Sequence, residues 1–268
     1  MAGRFERPTT IRNCINAIDE RDLLLPAIQR KFTWDSDQIC VLFDSIMRGY
    51  PINTFMFWDV QDDEIKKDFR FYDFLKAYCD VFAEDNPYFN ALNHKDFQAV
   101  IDGQQRLTSL YIGLKGTYAY KLPRKWWPKQ HDERVMPPRR LYLELDRYMA
   151  EESNEAMMQY HFRFLTDAQY EALDNKHCWF EVGKILEFGE MQTSDEIIYK
   201  VEDYLRENDI PFENARPILI RLYNAIFQDE IIHYYNEQSQ EIDHVLDIFI
   251  RTNSGGTPLS YSDLLMSI

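Results

Sequence analysis

The sequence predicts an α+β protein, with a mixed sheet and helices in the front half followed by a mostly helical second half. Apolar runs of strand length occur at 54–60, 69–72 and 97–101, and segments with helical spacing lie between them. From about residue 166 the apolar spacing becomes almost entirely helical. The chain has 268 residues, which is enough for one large or two modest domains.

The helices of the front half are predicted from apolar spacing and from capping residues. Asp35 or Ser36 is a suitable N-cap, because a short polar side chain can accept from the first free N–H groups of a helix. Gly49 allows the left-handed residue that ends many helices, and Pro51 prevents a restart. The predicted front-half helices cover 9–20, 38–48, 73–82 and a segment that begins near Gln104.

The second half is predicted to contain helices with two short strands between them. The strands are expected near Trp179 and at 231–235. We therefore predict a first domain at 1–165, with a basic insertion at 115–140, and a helical subdomain at 166–268 that is truncated at its C-terminus, since the helical pattern at 261–268 has no cap. The predicted helices are 167–173, 194–207, 211–227 and 240–251.

Composition excludes several classes of protein. No apolar run approaches 18 residues, so no membrane span is predicted, and the N-terminus has no secretory pattern. The four cysteines form no CxxC pair, which favours reduced thiols and a cytoplasmic protein. The six histidines show no metal-ligand spacing.

Charge is distributed unevenly. The net charge of −15 opposes non-specific DNA binding by the whole molecule. Segment 115–140, however, holds eight basic residues against two acidic ones. Because Arg124, Lys125, Trp126 and Lys129 interleave cations with an aromatic ring, they form a predicted DNA-binding set. The alternative is an exposed loop whose cations pair with the acidic remainder.

The most informative segment is 101–110, where an apolar strand runs through Gly103 into a helix. The free N–H groups and the positive dipole end of such a helix attract anions. Arg106 adds a planar cation suited to phosphate oxygens, while Thr108 and Ser109 add hydroxyls. The segment therefore predicts a phosphate site.

Two other segments carry candidate ligand-binding residues. In 25–34, Pro26 sets an extended entry, and Gln29 and Arg30 are suited to a base edge, a ribose or a phosphate; the alternative is a surface turn. In 249–259, Arg251 and Asn253 could reach a ligand across the domain boundary. The alternative there is a helix end capped by Asn and Gly.

Together the three segments resemble the N-terminal domain of GmrSD-type modification-dependent restriction enzymes, which is marked by a DGQQR motif. Residues 102–106 are that motif in full, and similarity extends over 26–51 and 245–265. The resemblance implies nucleoside triphosphate binding and hydrolysis with Mg²⁺, coupled to sensing modified double-stranded DNA. It also implies a nuclease partner, either an HNH-type C-terminal domain that this chain lacks or a separate subunit, and leaves a homo-oligomer open.

The front half is also similar, more remotely, to the ParB/sulfiredoxin fold. That family has a Gln-Arg segment before a helix and a Gly-x-x-Arg turn that binds nucleotide phosphates, in the places of Gln29-Arg30 and Gly103 to Arg106. Gln104 stands where sulfiredoxin has its reactive Cys and where ParB-type nucleotidases have a Glu. The resemblance therefore gives no support to sulfinic-acid reduction.

The resemblance implies a role for each candidate residue. Arg106 would bind the β- and γ-phosphates and stabilise the charge that develops on transfer. Gln104 would orient the attacking water, and Asp102 would bind Mg²⁺ or act as a base. Two other functions stay open, a non-catalytic ParB-like DNA-binding module and an interaction scaffold. The remaining predicted nucleotide ligands are Gly103, Gln105, Thr108, Ser109, Gln29, Arg30, Arg251 and Asn253.

Overall fold

A computed structural model of the protein describes residues 3–28, 30–80, 82, 85–146 and 158–253. It confirms the α+β class. Helices α1 to α8 are Ile11–Asp19, Ser36–Met47, Asp63–Asp68, Gln104–Lys115, Asp167–Glu171, Ser194–Glu207, Phe212–Phe227 and Ile242–Asn253. Strands β1 to β12 are Arg4–Phe5, Leu23–Pro26, Phe55–Val60, Phe71–Tyr72, Ala77–Cys79, Tyr88–Phe89, Phe97–Asp102, Thr117–Ala119, Pro138–Glu144, Phe162–Leu165, Trp179–Glu181 and Tyr234–Glu237.

The main sheet has seven strands in the order β1-β12-β3-β7-β2-β4-β6. Strand β7 is central, antiparallel to β3 and parallel to β2. Strand β12 joins the sheet late in the sequence and runs parallel to β3. The strand that leads into the DGQQR motif is therefore held on both sides.

Both faces of the main sheet are covered. In β3, Phe55 and Phe57 face the larger core with α1, α2, α4, α6 and α7, while Met56 and Trp58 face a second core with α8. This alternation is expected, because successive strand residues point to opposite faces. A strand covered on both faces reads as a continuous apolar run, which is why β3 and β7 were recognisable in the sequence.

A second sheet, in the order β10-β9-β8-β5 with β11 also on β9, lies beside the helices of the larger core. Two of its tyrosines reach the loop that follows β2. The Tyr78 hydroxyl donates to the Phe32 carbonyl at 3.3 Å, and the Tyr118 hydroxyl donates to the Trp34 carbonyl at 3.1 Å. The second sheet thus supports the loop that contains the Gln29-Arg30 segment.

Most predicted elements are confirmed, and one is wrong. The helix predicted near 73–82 is absent from its described residues, which instead contain β5, paired parallel to β8. Tyr78 is 4% exposed and packs its ring edge-on against Phe32, so burial between two aromatic neighbours overrides the local helical spacing. Helix α3, capped by the Asp62 side chain, was not predicted.

Three other predictions have different outcomes. The basic insertion is shorter than 115–140, because α4 ends at Lys115, β8 follows it, and β9 already begins at Pro138. The helical pattern at 261–268 lies outside the described residues, and the domain division near 165 stays a prediction. Within the described part of the chain, no helix has the length and apolar composition needed to cross a membrane.

Gly103 is required for two physical reasons. Its φ is +94°, in the left-handed region that other residues enter only at a cost. A Cβ at this position would also lie 2.2 Å from Cδ1 of Phe55, closer than any real contact. The turn from β7 into α4 therefore depends on glycine both for its backbone angle and for the approach of the Phe55 ring.

We expect Gly103→Ala to lower the free energy of unfolding by roughly 2–4 kcal/mol, from left-handed strain and overpacking together. Gly49→Ala is the matched control, since Gly49 also has a positive φ of 71° but its nearest Cβ neighbour would be Arg221 Nη2 at 3.8 Å. The free energy of unfolding of the control should fall only by the cost of left-handed strain, roughly 1 kcal/mol. Equal losses in urea denaturation would contradict the packing role of Phe55.

Candidate functional site

The site forms where two parallel strands end. Strands β2 and β7 are neighbours in the main sheet, so their carboxyl ends meet at one edge. The chain leaves β2 into the loop 27–35 and leaves β7 through Gly103 into α4. Ligands of α/β sheets bind outside such carboxyl ends. The fold therefore brings together two segments that are about 75 residues apart in the sequence.

We call residues 103–106 the α4 turn. Gln105 joins this turn to the loop after β2, because its Oε1 accepts from the Thr33 N–H at 2.9 Å and its Nε2 donates to the Lys31 carbonyl at 3.0 Å. Both ends of the amide are thus engaged with backbone. The predicted contact of Gln105 with phosphate stays a prediction, and the observed contacts make it a clamp on the loop.

Arg106 joins the α4 turn to the segment before β3. Its guanidinium donates to the carbonyls of Ile52 and Thr54, the latter at 3.1 Å, and lies 3.4 Å from Asp102 Oδ2. The same group sits 4.3 Å above the centre of the Phe55 ring, a cation–π contact. Arg106 is therefore committed to protein groups, and its predicted contact with phosphates stays a prediction.

Burial sets the electrostatics of Arg106. Desolvation lowers the pKa of its guanidinium, and the neighbouring charge of Asp102 opposes that change. The guanidinium keeps its charge, because an arginine does not deprotonate in proteins. A permanent positive charge is thus fixed beside the α4 turn.

A cleft of about 390 Å³ opens between the loop after β2 and the segment 85–86. Lys31 and Asp85 form an ion pair at 2.5 Å between these two walls, and both side chains are exposed. A volume of this size is within the range that small-molecule sites occupy. The polar residues that line the cleft are Arg30, Lys31, Tyr72, Asp85, Asn86 and Gln104.

Gln104 presents a buried amide to this cleft. The residue is only 5% exposed, and its side chain has no hydrogen-bond partner among the described residues. The fully buried side-chain atoms without a partner in the described residues do not include this amide, so its polar atoms face the cleft. Such a group is typical of a position that a ligand or an ordered water completes.

The backbone of the α4 turn adds donors to the same place. The first intrahelical bond of α4 runs from the Leu107 N–H to the Gly103 carbonyl at 3.0 Å. The N–H groups of residues 104–106 precede that bond, so they have no partner within the helix. Since Gln104, the first residue of α4, lines the cleft, the positive end of the helix dipole lies at the cleft edge.

Two predicted phosphate ligands do not line the cleft. Thr108 and Ser109 are fully buried, and their hydroxyls have no hydrogen-bond partner within the described part of the chain. Solvent and ligand do not reach them in this conformation. Their predicted role has no support in the observed geometry.

The other predicted residues of the first two motifs are placed as follows. Arg30 is exposed and lines the cleft, and Gln29 lies outside the described residues. The Asp102 side chain is 45% exposed at the end of β7. No group of three or more His, Cys, Asp or Glu side chains that could hold a metal occurs in residues 3–146 and 158–253 as far as they are described.

The carboxylate of Asp102 still fits a Mg²⁺ ion that arrives with a nucleotide. Mg²⁺ is usually held by one or two carboxylates together with substrate phosphates and waters. Asp102 supplies one accessible carboxylate beside the α4 turn. The fit is with a shared ion, since a cage made of protein ligands alone is missing from the described residues.

The described part of the third motif is the end of α8. After β12, Gln240 accepts from the N–H groups of Gln61 and Asp62, beyond the end of β3 that lies opposite the α4 turn. Helix α8 then packs on β7. Arg251, near its end, is exposed and pairs with Asp247 at 3.0 Å. The Asn253 side chain and residues 254–268 lie outside the described part.

Several residues of the site were not predicted. Phe55 was part of a predicted strand, but its approach to Gly103 has no signal in the sequence. Four further residues line the cleft, namely Lys31, Tyr72, Asp85 and Asn86. Lys31 could have been suggested by its position next to Arg30, and Tyr72 by its position in an aromatic strand. Residues 85–86 come to the site through tertiary packing alone.

The predicted DNA-binding residues lie in the loop 120–137, away from the cleft lining. Arg124, Lys125, Trp126 and Lys129 are all exposed there. Other cations of the segment are paired, Lys115 with Asp19 and Arg140 with Asp167. Arg124, Lys125 and Lys129 have no ion pair within the described residues. The alternative, that the cations balance acidic neighbours, thus holds for some of them only.

The sequence matches known proteins over most of its length. The chain is 24% identical over 266 residues to the uncharacterized protein MJ0686 of Methanocaldococcus jannaschii. The match takes 92% of this chain and 39% of that protein, so the chain spans about two fifths of the relative's length. Residues 11–268 match the family described as the GmrSD restriction endonuclease, N-terminal domain. Since this match covers nearly the whole sequence, the chain belongs to the GmrSD restriction endonuclease N-terminal domain family.

Proposed function

We propose that the chain is the nucleotide-binding and NTP-hydrolysing control domain of a DNA-modification-dependent restriction system. The observation that carries this proposal is the amide of Gln104 at the start of α4, which lines the cleft together with Arg30 and has no hydrogen bond to the described residues. Family membership supports the restriction system, and the cleft supports the nucleotide.

Phosphate recognition follows from the donors at the cleft. The N–H groups of residues 104–106 favour an anion by direct hydrogen bonds and by the helix dipole. Arg30 adds a guanidinium that matches two phosphate oxygens at once. The charge of Arg106 lies behind the turn and adds a fixed positive field. The terminal phosphates of a nucleoside triphosphate are the ligand that this set fits.

Hydrolysis would need a positioned water more than a strong base. Water attacks the γ-phosphorus, the bond to the bridging oxygen breaks, and inorganic phosphate and a nucleoside diphosphate leave. Gln104 can accept from that water through its amide oxygen and fix its direction. Asp102 would hold Mg²⁺ together with the phosphates, and the bound ion would neutralise charge on the leaving diphosphate.

Gln105 and Arg106 have positioning roles in this proposal. Gln105 holds the loop that carries Arg30, and Arg106 holds the segment that carries Phe55. These contacts fix the α4 turn between two loops before any ligand arrives. Preorganised donors stabilise charge without further rearrangement, which is the main source of rate in phosphoryl transfer.

A non-catalytic DNA-binding module is the second candidate function. It is favoured by the exposed loop with Arg124, Lys125 and Lys129, which have no ion pair among the described residues. In either case we propose modified double-stranded DNA as a partner, and a nuclease in a C-terminal domain or separate subunit. Stoichiometric phosphate release separates the two candidates, because the module would bind DNA without turnover.

We expect the purified chain with Mg²⁺ to release phosphate from at least one of the four common nucleoside triphosphates. Arg30→Ala should weaken nucleotide binding about 10- to 100-fold, the scale of a lost charge-assisted hydrogen bond. Gln104→Ala should lower kcat about 10²-fold with a smaller change in affinity, because it disturbs orientation. Calorimetric titration and a phosphate-release assay measure the two effects.

The control for these variants is Arg216→Ala. Arg216 is a half-exposed cation on α7 that pairs with Glu202 on α6. It does not line the cleft. It should leave both affinity and kcat unchanged. If Arg30→Ala and Gln104→Ala also match the parent in binding and turnover, the cleft is not the nucleotide site.

We expect Gln105→Glu to lower the free energy of unfolding by roughly 1–3 kcal/mol and to weaken nucleotide binding. The new carboxylate would face the Lys31 carbonyl without a proton to donate, so the loop loses one bond and gains a repulsion. Gln130→Glu makes the same charge change at an exposed position and should do neither. Equal stability of the two variants would contradict the proposal that Gln105 stabilises the loop after β2.

A further inference from the structure

The loop 120–137, between β8 and β9, is anchored firmly at its base. The Leu122 N–H donates to the Val135 carbonyl at 2.8 Å, which closes the loop. Arg139 is 1% exposed and donates to the Tyr120 carbonyl at 2.8 Å. Met136 is fully buried against the ends of β5 and β8. A closed loop with a buried base presents its tip in a defined position.

Two adjacent tryptophans at the tip have different environments. Trp127 is 59% exposed, and Lys121 Nζ lies 5.2 Å from the centre of its ring. Lys121 in turn donates to the carbonyls of Leu122 and Lys125, both at 3.1 Å. Trp126 is 93% exposed and has no ring or cation contact among the described residues. The structure thus holds one ring against the loop and extends the other into solvent.

The charges around Trp126 indicate what covers it. The adjacent indoles of Trp126 and Trp127 are both exposed, so together they leave a contiguous apolar surface in water, as interaction sites do. Arg124, Lys125 and Lys129 lie close to Trp126 in the sequence of a protein of net charge −15, and no acidic residue pairs with them in the described part of the chain. The matching partner carries regular negative charges and flat rings, and a nucleic acid supplies both.

We propose that Trp126 stacks on a base that is unstacked or unpaired in the bound DNA, while Arg124, Lys125 and Lys129 contact the flanking phosphates. The proposal rests on the DNA partner of the proposed function and adds the state of the DNA that is recognised. A fully stacked duplex offers no free base face, so the ring contributes only where a base leaves the stack.

The position of the loop relates it to the cleft. Strands β5 and β8 are parallel, so they end at the same edge of the second sheet. The basic loop follows β8, and the chain that follows β5 reaches Asp85 and Asn86 in the cleft wall. Phe82 from that chain packs with Val135 at the base of the loop. The base of the basic loop is therefore packed against the chain segment that leads to the cleft wall.

Binding of labelled DNA tests this proposal without any need for nucleotide. The full chain should bind a duplex with one bulged base, and single-stranded DNA of equal length, about 5- to 100-fold more tightly than the fully paired duplex. Indole fluorescence should fall on binding to the bulged duplex. Equal affinity for paired and bulged duplex overturns the stacking proposal.

Variants separate the ring from the charges. Trp126→Ala should abolish the preference for the bulged duplex, and Trp127→Ala, the matched control, should keep it. Arg124→Glu with Lys125→Glu should weaken binding to all DNAs and flatten the salt dependence by about 0.9 per lost phosphate contact. Equal loss of preference in the two tryptophan variants overturns the specific role of Trp126.

The remaining outcomes distinguish this proposal from the one it rests on. Salt-dependent binding to paired duplex without preference for the bulge removes only the stacking role. Failure to bind any DNA removes the DNA partner itself and overturns both. Binding of the parent but not Trp126→Ala to anionic phosphatidylserine vesicles, with no DNA binding, would assign the tip to a membrane surface instead.

Discussion

The bonding of the α4 turn to the loops on both of its sides is the constraint on which the site depends. Gln105 binds the loop after β2 through two backbone bonds, and Arg106 binds the segment before β3 through two backbone carbonyls and the Phe55 ring. Gly103 makes the second of these connections possible, because only a residue without Cβ lets the Phe55 ring come close. The conspicuous polar residues of the DGQQR motif thus act first as structural connections.

That arrangement explains why Gln104 differs from its neighbours. The amide of Gln105 and the guanidinium of Arg106 are engaged with protein groups, whereas the amide of Gln104 has no partner among the described residues and lines the cleft. This difference is the reason why we place the proposed ligand contact at Gln104. Arg30 reaches the same cavity because Gln105 fixes the loop that carries it.

Much of this could be predicted from sequence, since β7, Gly103 and the start of α4 are encoded within a dozen residues by an apolar run, a glycine and helical spacing. The approach of Phe55 and the cleft wall at 85–86 could not, because they depend on strand order. The helix predicted near 73–82 failed for the same reason: parallel pairing with β8 and burial of Tyr78 outweighed local spacing. Thr108 and Ser109 share a sequence motif with Gln104 but lie on the buried side of α4.

The central claim is that the free N–H groups of the α4 turn and the amide of Gln104 receive the phosphates of a nucleotide. Hydrogen–deuterium exchange of the full chain, with and without a non-hydrolysable nucleoside triphosphate and Mg²⁺, tests this most directly. The N–H groups of residues 104–106 have no helical partner and should exchange fast in the free protein. With nucleotide they should become protected together with the loop after β2. Saturating nucleotide that leaves their exchange unchanged, while protecting another region, would contradict the account.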